Sequence, residues 1–450
     1  MVSSYKSMEP FEVRCRWWRP NSPSRRVPGT VGFDGTEVVA VLDEWMQPRD
    51  LLALPTPEII HGETADGTAV TLVEAFVSTA NSAEIRMIAN GLGVGAHLLN
   101  LEEQAFSSAT ARIDGLDEWS EQAPIEVKNV DGVAEIRCAA PWYIGIDLPE
   151  RSASFTIGQN RDQLGGGRRI TIEYFSRVHV TPHQPQPINW FHGIITETRQ
   201  LLTLFMNQDA GLAALSLVPE ERDSPPTTVE WFWRRRESGM RKIRIAEILL
   251  PFGCLNGRLE QVLRNWFSKT DDLRHARALL FANLATPAPF LETRFLPMVQ
   301  ALEVYCRALG TDKYIPDTEF KELKSRLYEV LPSGLPTGLV QKLRSSIGFA
   351  NETSLKDRIQ QVIDSLLPQT RRFVCLDSEK FARELTQTRN YFTHYGESGE
   401  SRLTGLALHR ATERAALLLK IQMLKESGVD ESLIESRLRS CRRHEYSVES

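Results

Sequence analysis

The sequence predicts an α+β protein: a β-rich N-terminal domain, built as an antiparallel sheet or sandwich, followed by an all-α helical bundle. Three observations carry this reading. Asp-Gly pairs at Asp34-Gly35, Asp66-Gly67 and Asp131-Gly132 each sit between runs rich in β-branched residues. Asp-Gly supplies the positive φ angles that a tight hairpin requires. The segment RRITIEYF, Arg168 to Phe175, alternates polar and apolar residues, the period of a half-buried strand. Beyond Leu255, apolar residues recur at helical spacing in one segment after another.

Taken in order, TVGF-DG-TEVVAVL and IIHGETA-DG-TAVTLVEAF are the clearest hairpins. GLGVG, Gly91 to Gly95, lacks the Gly-Lys-Ser/Thr of a phosphate-binding loop and the third spaced glycine of a dinucleotide fingerprint; it is read as a turn, as is Gly165 to Gly167. From Pro187, PINWFHGIITETRQLLTLF changes to helical spacing, with Ile194, Leu201 and Leu204 near one face. The polar stretch PEERDSPPTT breaks the chain. VEWFWRRRESGMRKIRI, Val229 to Ile245, then reads as two strands around Glu237-Ser238-Gly239, which extends the β-rich part to about residue 255. Helices are expected around 258–268, 272–284, 290–309, 317–331, 336–348, 354–367, 377–395, 402–426 and 430–440. Leu302, Tyr305, Cys306 and Leu309 form one apolar stripe among them. The expected organisation is a β-rich domain over 1–255, a helical connector over 256–287 and an α-helical domain over 288–450, with TPAP at Thr286 marking the last boundary.

A chain of 450 residues with 42% hydrophobic and 25% charged residues has the composition of a soluble globular protein. No apolar run approaches the roughly 18 residues of a membrane span, and the N-terminus lacks the apolar core of a signal peptide. A cytoplasmic protein with no membrane contact is expected. The six cysteines are scattered and form no C-x-x-C pair, against a disulfide framework or a zinc knuckle. A net charge of −5 supplies no global basic field, so a nucleic-acid site must be a local patch. From residue 286 onward there are 24 basic and 22 acidic residues, against 29 and 36 before it, so the helical half is the less acidic.

His179 and His183 in HVTPH, with His192 beyond, bring no nearby carboxylate or cysteine to complete a metal set. Neither a metal nor any other cofactor is expected. WFWRRR and MRKIRI place six cations, Arg234, Arg235 and Arg236 among them, beside two tryptophans. Cations hold phosphates and rings stack bases, but charge facing solvent and aromatics facing the core is the other reading of the same hairpin.

The segment TRNYFTHYGESG, Thr388 to Gly399, puts Arg389, Asn390, two aromatics and His394 within six residues. Lys380, Phe381, Leu385 and Tyr391 or Phe392 place it at the end of a helix through Asp377 to Tyr395, with Gly396 as the left-handed residue after it. His394 then falls in the last turn, where the negative end of the helix dipole favours imidazolium and suits general acid–base work. Arg389 offers a permanently charged planar fork for phosphate. Five residues along a helix separate two side chains by roughly 140° and ~7.5 Å. One chain does not aim both groups at one spot unless the last turn is distorted, whereas two copies facing across a two-fold axis build a composite pocket. The alternative is a solvated arginine and a capping histidine.

Arg389, the polar Asn390 after it and His394 resemble the R-x-x-x-x-H signature of the HEPN superfamily of ribonucleases. FLPMVQALEVYCRALG, Phe295 to Gly310, resembles the opening helix of the HEPN domain in the ApeA family. IIHGETADGTAVTLVEAF, ANGLGVGAHLL and ARIDGLDEWS are similar to that family's N-terminal domain. The resemblance covers most of the chain and implies an anti-phage HEPN nuclease. It implies metal-independent RNA cleavage, in which the 2′-hydroxyl attacks the adjacent phosphorus and leaves a 2′,3′-cyclic phosphate. His394 would move the proton, Arg389 would hold the phosphate charge and Asn390 would orient one or the other. Glu303 and Arg307 either brace the pocket or form an ordinary surface ion pair; Tyr391 and Tyr395 either stack a base or pack. The expected partners are an RNA substrate, a second copy through the HEPN domain and a phage-derived trigger, with the β-rich domain as sensor or restraint. Two rival readings are a non-catalytic nucleic-acid- or nucleotide-binding module and a dimerising adaptor.

Overall fold

The computed structural model describes the chain except residues 1–8, 47–56, 82–83, 100, 103, 121–124, 167, 221–227, 235–243, 256, 286–289, 311–312, 333, 395–401 and 442–450; at Val130, Thr270 and His394 it describes the backbone alone. The chain divides into two compact units, Met1–Phe267 and Ser268–Ser450. The first is β-rich and the second helical, an α+β protein.

The first unit begins with β1 (Phe11–Trp18), β2 (Val27–Phe33), β3 (Val38–Leu42), β4 (Glu58–Thr64), β5 (Ala69–Ala80) and β6 (Ile85–Ala89). Every pairing among them is antiparallel, and the pairings run in a circle: β1 with β2, β2 with β3, β3 with β6, β6 with β5, β5 with β4, and β4 with β1. The expected sheet or sandwich is here a closed six-stranded barrel. Alternate residues fill it, Trp17, Val31, Phe33, Val38, Ala40, Ile60, Leu72 and Met87 among them. All three Asp-Gly pairs make hairpin turns. At Asp131 (φ 50°) and Gly132 (φ 80°) both central residues are left-handed, as a two-residue primed turn demands. Asp34 accepts from the backbone N–H groups of Thr36 and Glu37 at 2.8 Å each. Those donors, Glu37 first, hold its carboxyl below the ordinary range.

Gly62 on β4 lies where Trp17 crosses the barrel interior. A Cβ there would stand 2.5 Å from the Trp17 ring and 2.8 Å from Val70. Neither neighbour is a flexible chain end, so Gly62→Ala is expected to destabilise the barrel by about 1–3 kcal/mol through overpacking. Urea unfolding of the full chain checks this; an unchanged midpoint would show that the barrel gives way at no cost.

β5 is shared. Glu74, at φ 51°, marks an irregularity in the strand. Before it β5 pairs with β7 (Gly91–Val94), and after it with β6. GLGVG is thus a buried strand and not the expected turn. The reason is close approach: a Cβ on Gly91 would lie 2.6 Å from the Trp231 ring. The glycines clear space for that indole instead of bending the chain.

From β7 the sheet continues through β8 (Ala105–Ile113), β11 (Tyr143–Leu148), β12 (Ala153–Gly166), β13 (Arg169–Pro182), β15 (Leu212–Pro219) and β16 (Val229–Trp233), in the order β7-β16-β15-β8-β13-β12-β11. β14 (Gln186–Pro187) pairs with β8, while β9 (Ile125–Val130) and β10 (Val133–Cys138) form a separate hairpin. The expected 229–245 hairpin needs correction. β16 pairs with β15 and β7, residues 235–243 lie outside the described residues, and Ile245–Glu247 is a 3-10 turn. Gly165 and Gly166 lie at the β12–β13 turn, paired with Ile170 and Arg169.

α1 (Leu116–Ser120) and α2 (Ile188–Met206) pack on this sheet. α2 buries Phe191, Ile194, Ile195, Leu201, Leu202 and Phe205, the stripe its sequence displays. Trp119 stacks on Phe205 at 5.7 Å and donates its indole N–H to the Leu250 carbonyl at 2.7 Å. α3 (Leu259–Ser268) joins the same core: Trp266 donates to the Glu197 carbonyl and Phe267 packs on Phe155.

The second unit comprises α4 (Thr270–Ala285), α5 (Leu291–Ala308), α6 (Asp317–Glu329), α7 (Thr337–Phe349), α8 (Leu355–Asp364), α9 (Pro368–Val374), α10 (Ser378–His394), α11 (Gly405–Glu426) and α12 (Glu431–Ser440). The expected connector is thereby divided, α3 belonging to the first unit and α4 to the second. α5 runs through the centre and packs against α4, α8, α10 and α11. Of its sequence stripe Leu302, Tyr305 and Cys306 are buried, while Leu309 is exposed. α9 is a helix the sequence pattern misses; it starts on Pro368, whose absent N–H costs nothing at a first helical position. α6 and α7 pack on each other and bury no residue. Among the described residues no helix is long and apolar enough to cross a membrane.

Candidate active site

The candidate site stands at the end of α10. Asp377 precedes the helix and its carboxylate accepts from the Lys380 backbone N–H at 2.9 Å, an N-cap. Phe381, Ala382, Leu385 and Thr388 are buried, at helical spacing, and seat the helix against α5 and α8. Arg389 therefore falls at the margin of the buried face and Asn390 on the exposed side. The last turn is held to its neighbours by small contacts. Thr388 accepts at its hydroxyl from the Leu403 backbone N–H at 3.1 Å, and Phe392 meets Phe295 of α5 edge-on at 6.1 Å.

Arg389 keeps 32% of its side-chain exposure. Its guanidinium donates to Glu303 Oε2 at 3.2 Å and to Asn390 Oδ1 at 3.1 Å. The other Glu303 oxygen, Oε1, accepts from Arg307 at 2.9 Å. Glu303 is the more enclosed partner at 17% exposure, Arg307 the more open at 58%. One carboxylate thus holds two guanidinium groups, and the trio carries a net charge of about +1. Of the five N–H donors of Arg389, Glu303 and Asn390 engage two, so the fork is oriented from two sides and, among the described residues, keeps donors for an incoming anion. Position 394 lies one turn beyond position 390 on the same face of α10.

Of the other expected site residues, Tyr391 is half-buried, packs against Phe392 at 5.4 Å and lies under the Arg402 guanidinium at 4.3 Å. One face of that ring is already taken by a cation. Tyr395 and Gly396 lie outside the described residues. Arg234 sits in the first unit, where it pairs with Glu37 at 2.9 Å; Arg235 and Arg236 lie outside the described residues. Within the second unit the structure therefore brings together Arg389, Asn390, Glu303 and Arg307. Arg402 is the cation that sequence reading missed; it follows a polar stretch and has no periodic signal.

The three histidines are held singly. His179 bonds Thr110 Oγ1 at 2.9 Å and Thr181 Oγ1 at 3.2 Å, and burial, then the charge of Arg177, holds its pKa down. Burial does the same to His192. No group of three His, Cys, Asp or Glu among the described residues has the geometry to hold a metal ion, and no disulfide joins the cysteines.

An α+β chain whose helical unit presents an Arg-Asn-x-x-x-His helix end has the arrangement of a HEPN protein with a β-rich partner domain. Two family models match it: residues 12–266 match ApeA N-terminal domain 1, and residues 296–433 match Apea-like HEPN. The chain belongs to the ApeA family of HEPN-domain defence proteins. The second match contains Glu303, Arg307, Arg389, Asn390 and His394. It supports a nuclease-type role in anti-phage defence. No curated protein and no solved structure matches the chain.

Proposed function

We propose that this protein is a metal-independent endoribonuclease that acts in anti-phage defence by abortive infection. The observation that supports it is the half-buried Arg389 fork, held by Glu303 and Asn390 inside the HEPN match. In this reading the ribose 2′-hydroxyl attacks the adjacent phosphorus and the 5′-oxygen leaves. The products are a 2′,3′-cyclic phosphate and a 5′-hydroxyl. His394 takes or returns the proton at those oxygens. Arg389 binds the non-bridging oxygens, where negative charge gathers in the transition state. Asn390 ties the arginine to the face that carries position 394. The site is shared by two chains: a two-fold dimer of the helical unit sets one chain's Arg389 beside the other's His394 and removes the 140° mismatch. The N-terminal unit restrains the nuclease until a phage-derived trigger arrives.

The test is incubation of purified protein with total RNA in excess EDTA, followed by end-group analysis. Cyclic-phosphate ends that persist in EDTA are the expected result. Cleavage that needs a divalent ion, or leaves 3′-hydroxyl ends, overturns the mechanism.

Glu303 acts as the positioning residue for Arg389. Its pairs are about a third exposed or more on the arginine side, so solvent limits each to roughly 1 kcal/mol. Glu303→Gln is expected to lower the cleavage rate about threefold to tenfold, leave KM for RNA unchanged or lower, and leave the thermal unfolding of the unit unchanged. A raised KM at full kcat would make Glu303 a substrate contact instead.

A further inference from the structure

The first unit is the acidic part of the chain, with 26 basic and 34 acidic residues over Met1–Phe267. One place on its barrel reverses that balance. Arg14 and Arg16 are alternate residues of β1, with Cys15 between them turned into the barrel core. The two arginines therefore share the outer face. Arg26, just before β2, closes beside them, and the three line one cavity of about 450 Å3 with Pro28, Glu63 and Thr64. That size lies within the range of small-ligand sites.

The three cations are differently prepared. Arg26 is fixed: its guanidinium lies 4.2 Å over the Trp18 ring and donates to Glu63 at 2.8 Å. Trp18 is itself buried and braced edge-on by His97 at 5.2 Å and His61 at 6.3 Å. Arg14 is held at the other end by Asp43 at 3.3 Å. Arg16, between them, is exposed, and its side chain has no ion pair or hydrogen bond among the described residues, although Glu63 stands opposite it in the β1–β4 register. Glu63 balances Arg26 and Asp43 balances Arg14, so the cavity keeps an uncompensated charge of about +1, carried by Arg16. Arginine forks match the paired oxygens of phosphate, and three of them around one cavity suit an anion with several phosphate groups better than a single carboxylate.

We infer that this cavity binds a small molecule bearing a di- or triphosphate, a nucleotide or an inorganic polyphosphate, with Arg16 as the ligand's first contact and Arg14 and Arg26 as its flanks. The site lies in the N-terminal unit and its existence does not depend on the nuclease reading.

Isothermal titration of the full-length protein tests it, with ATP, inorganic tripolyphosphate and adenosine as probes. ATP and tripolyphosphate are expected to bind and adenosine not to. Equal affinity for the first two assigns the site to the phosphates alone; tighter ATP binding assigns it to a nucleotide. Arg16→Ala should weaken binding about tenfold, the loss of one charge-assisted contact, and the Arg14→Ala/Arg16→Ala pair further still. Arg86→Ala, at a neighbouring cavity on the barrel, should change nothing. If Arg16→Ala lowers the circular dichroism signal, Arg16→Gln replaces it, keeping the stem and removing the charge. No binding of either anion at millimolar concentration, or the same affinity in the arginine variants, overturns the inference. The readout is binding and not cleavage, so its failure is distinct from failure of the proposed reaction.

Discussion

His394→Ala is expected to abolish RNA cleavage and phage protection while leaving the fold intact. The loss should be about 10²–10⁴-fold in single-turnover rate, the range for removal of a general acid–base group. The position explains why stability is spared. α10 is seated by Phe381, Ala382, Leu385 and Thr388, all buried, and residue 394 is the last of the helix. Alanine is a better helix former than histidine, so the last turn is not weakened by the change. The measurement is RNA integrity in phage-challenged cells together with cleavage by purified protein. A His394→Ala protein that still cuts RNA would reduce TRNYFTHYGESG to an ordinary helix end.

Arg389→Ala should cost about 10²–10³-fold, as loss of a preorganised donor to a developing oxyanion does elsewhere. Arg389→Lys should recover little. A lysine offers a point charge and not a planar fork, so it does not keep both the Glu303 and the Asn390 bonds while reaching a phosphate. The shared-site reading makes a sharper forecast. Arg389→Ala and His394→Ala chains, each inactive alone, should regain part of the activity when mixed under conditions that allow exchange. A mixed pair pools one intact arginine and one intact histidine across the two-fold axis. Mixtures that stay dead, with sedimentation showing that exchange took place, would place both groups in a single chain's site.

Much of the architecture is legible in local sequence because its causes are local. Asp34-Gly35, Asp66-Gly67 and Asp131-Gly132 announce their hairpins through backbone conformation. Long helices such as α5 and α11 announce themselves through apolar spacing. Closure of the barrel is invisible at that level, since the β3–β6 and β1–β4 pairings join distant segments. GLGVG looks in sequence like a turn because a glycine that makes room for an indole resembles one that bends the chain; the Trp231 that needs the room is about 140 residues away. The site divides the same way. Glu303 and Arg307 show their mutual spacing in sequence, but the third member, Arg389, is 86 positions from Glu303. Only the packing of α10 on α5 unites them.

The circular order of the six barrel strands has a bearing on shelf life. A sheet normally ends in two strands whose outer N–H and C=O groups are open to pairing with another chain. Here one end of the large sheet closes on itself, and among the described residues only β11, Tyr143–Leu148, and the two-residue β14 have a single neighbour in it. The barrel end of that sheet therefore offers no open strand on which an aggregate can start. If the molecule does clump on long storage, the seam should begin at β11, beside the exposed ring of Tyr143.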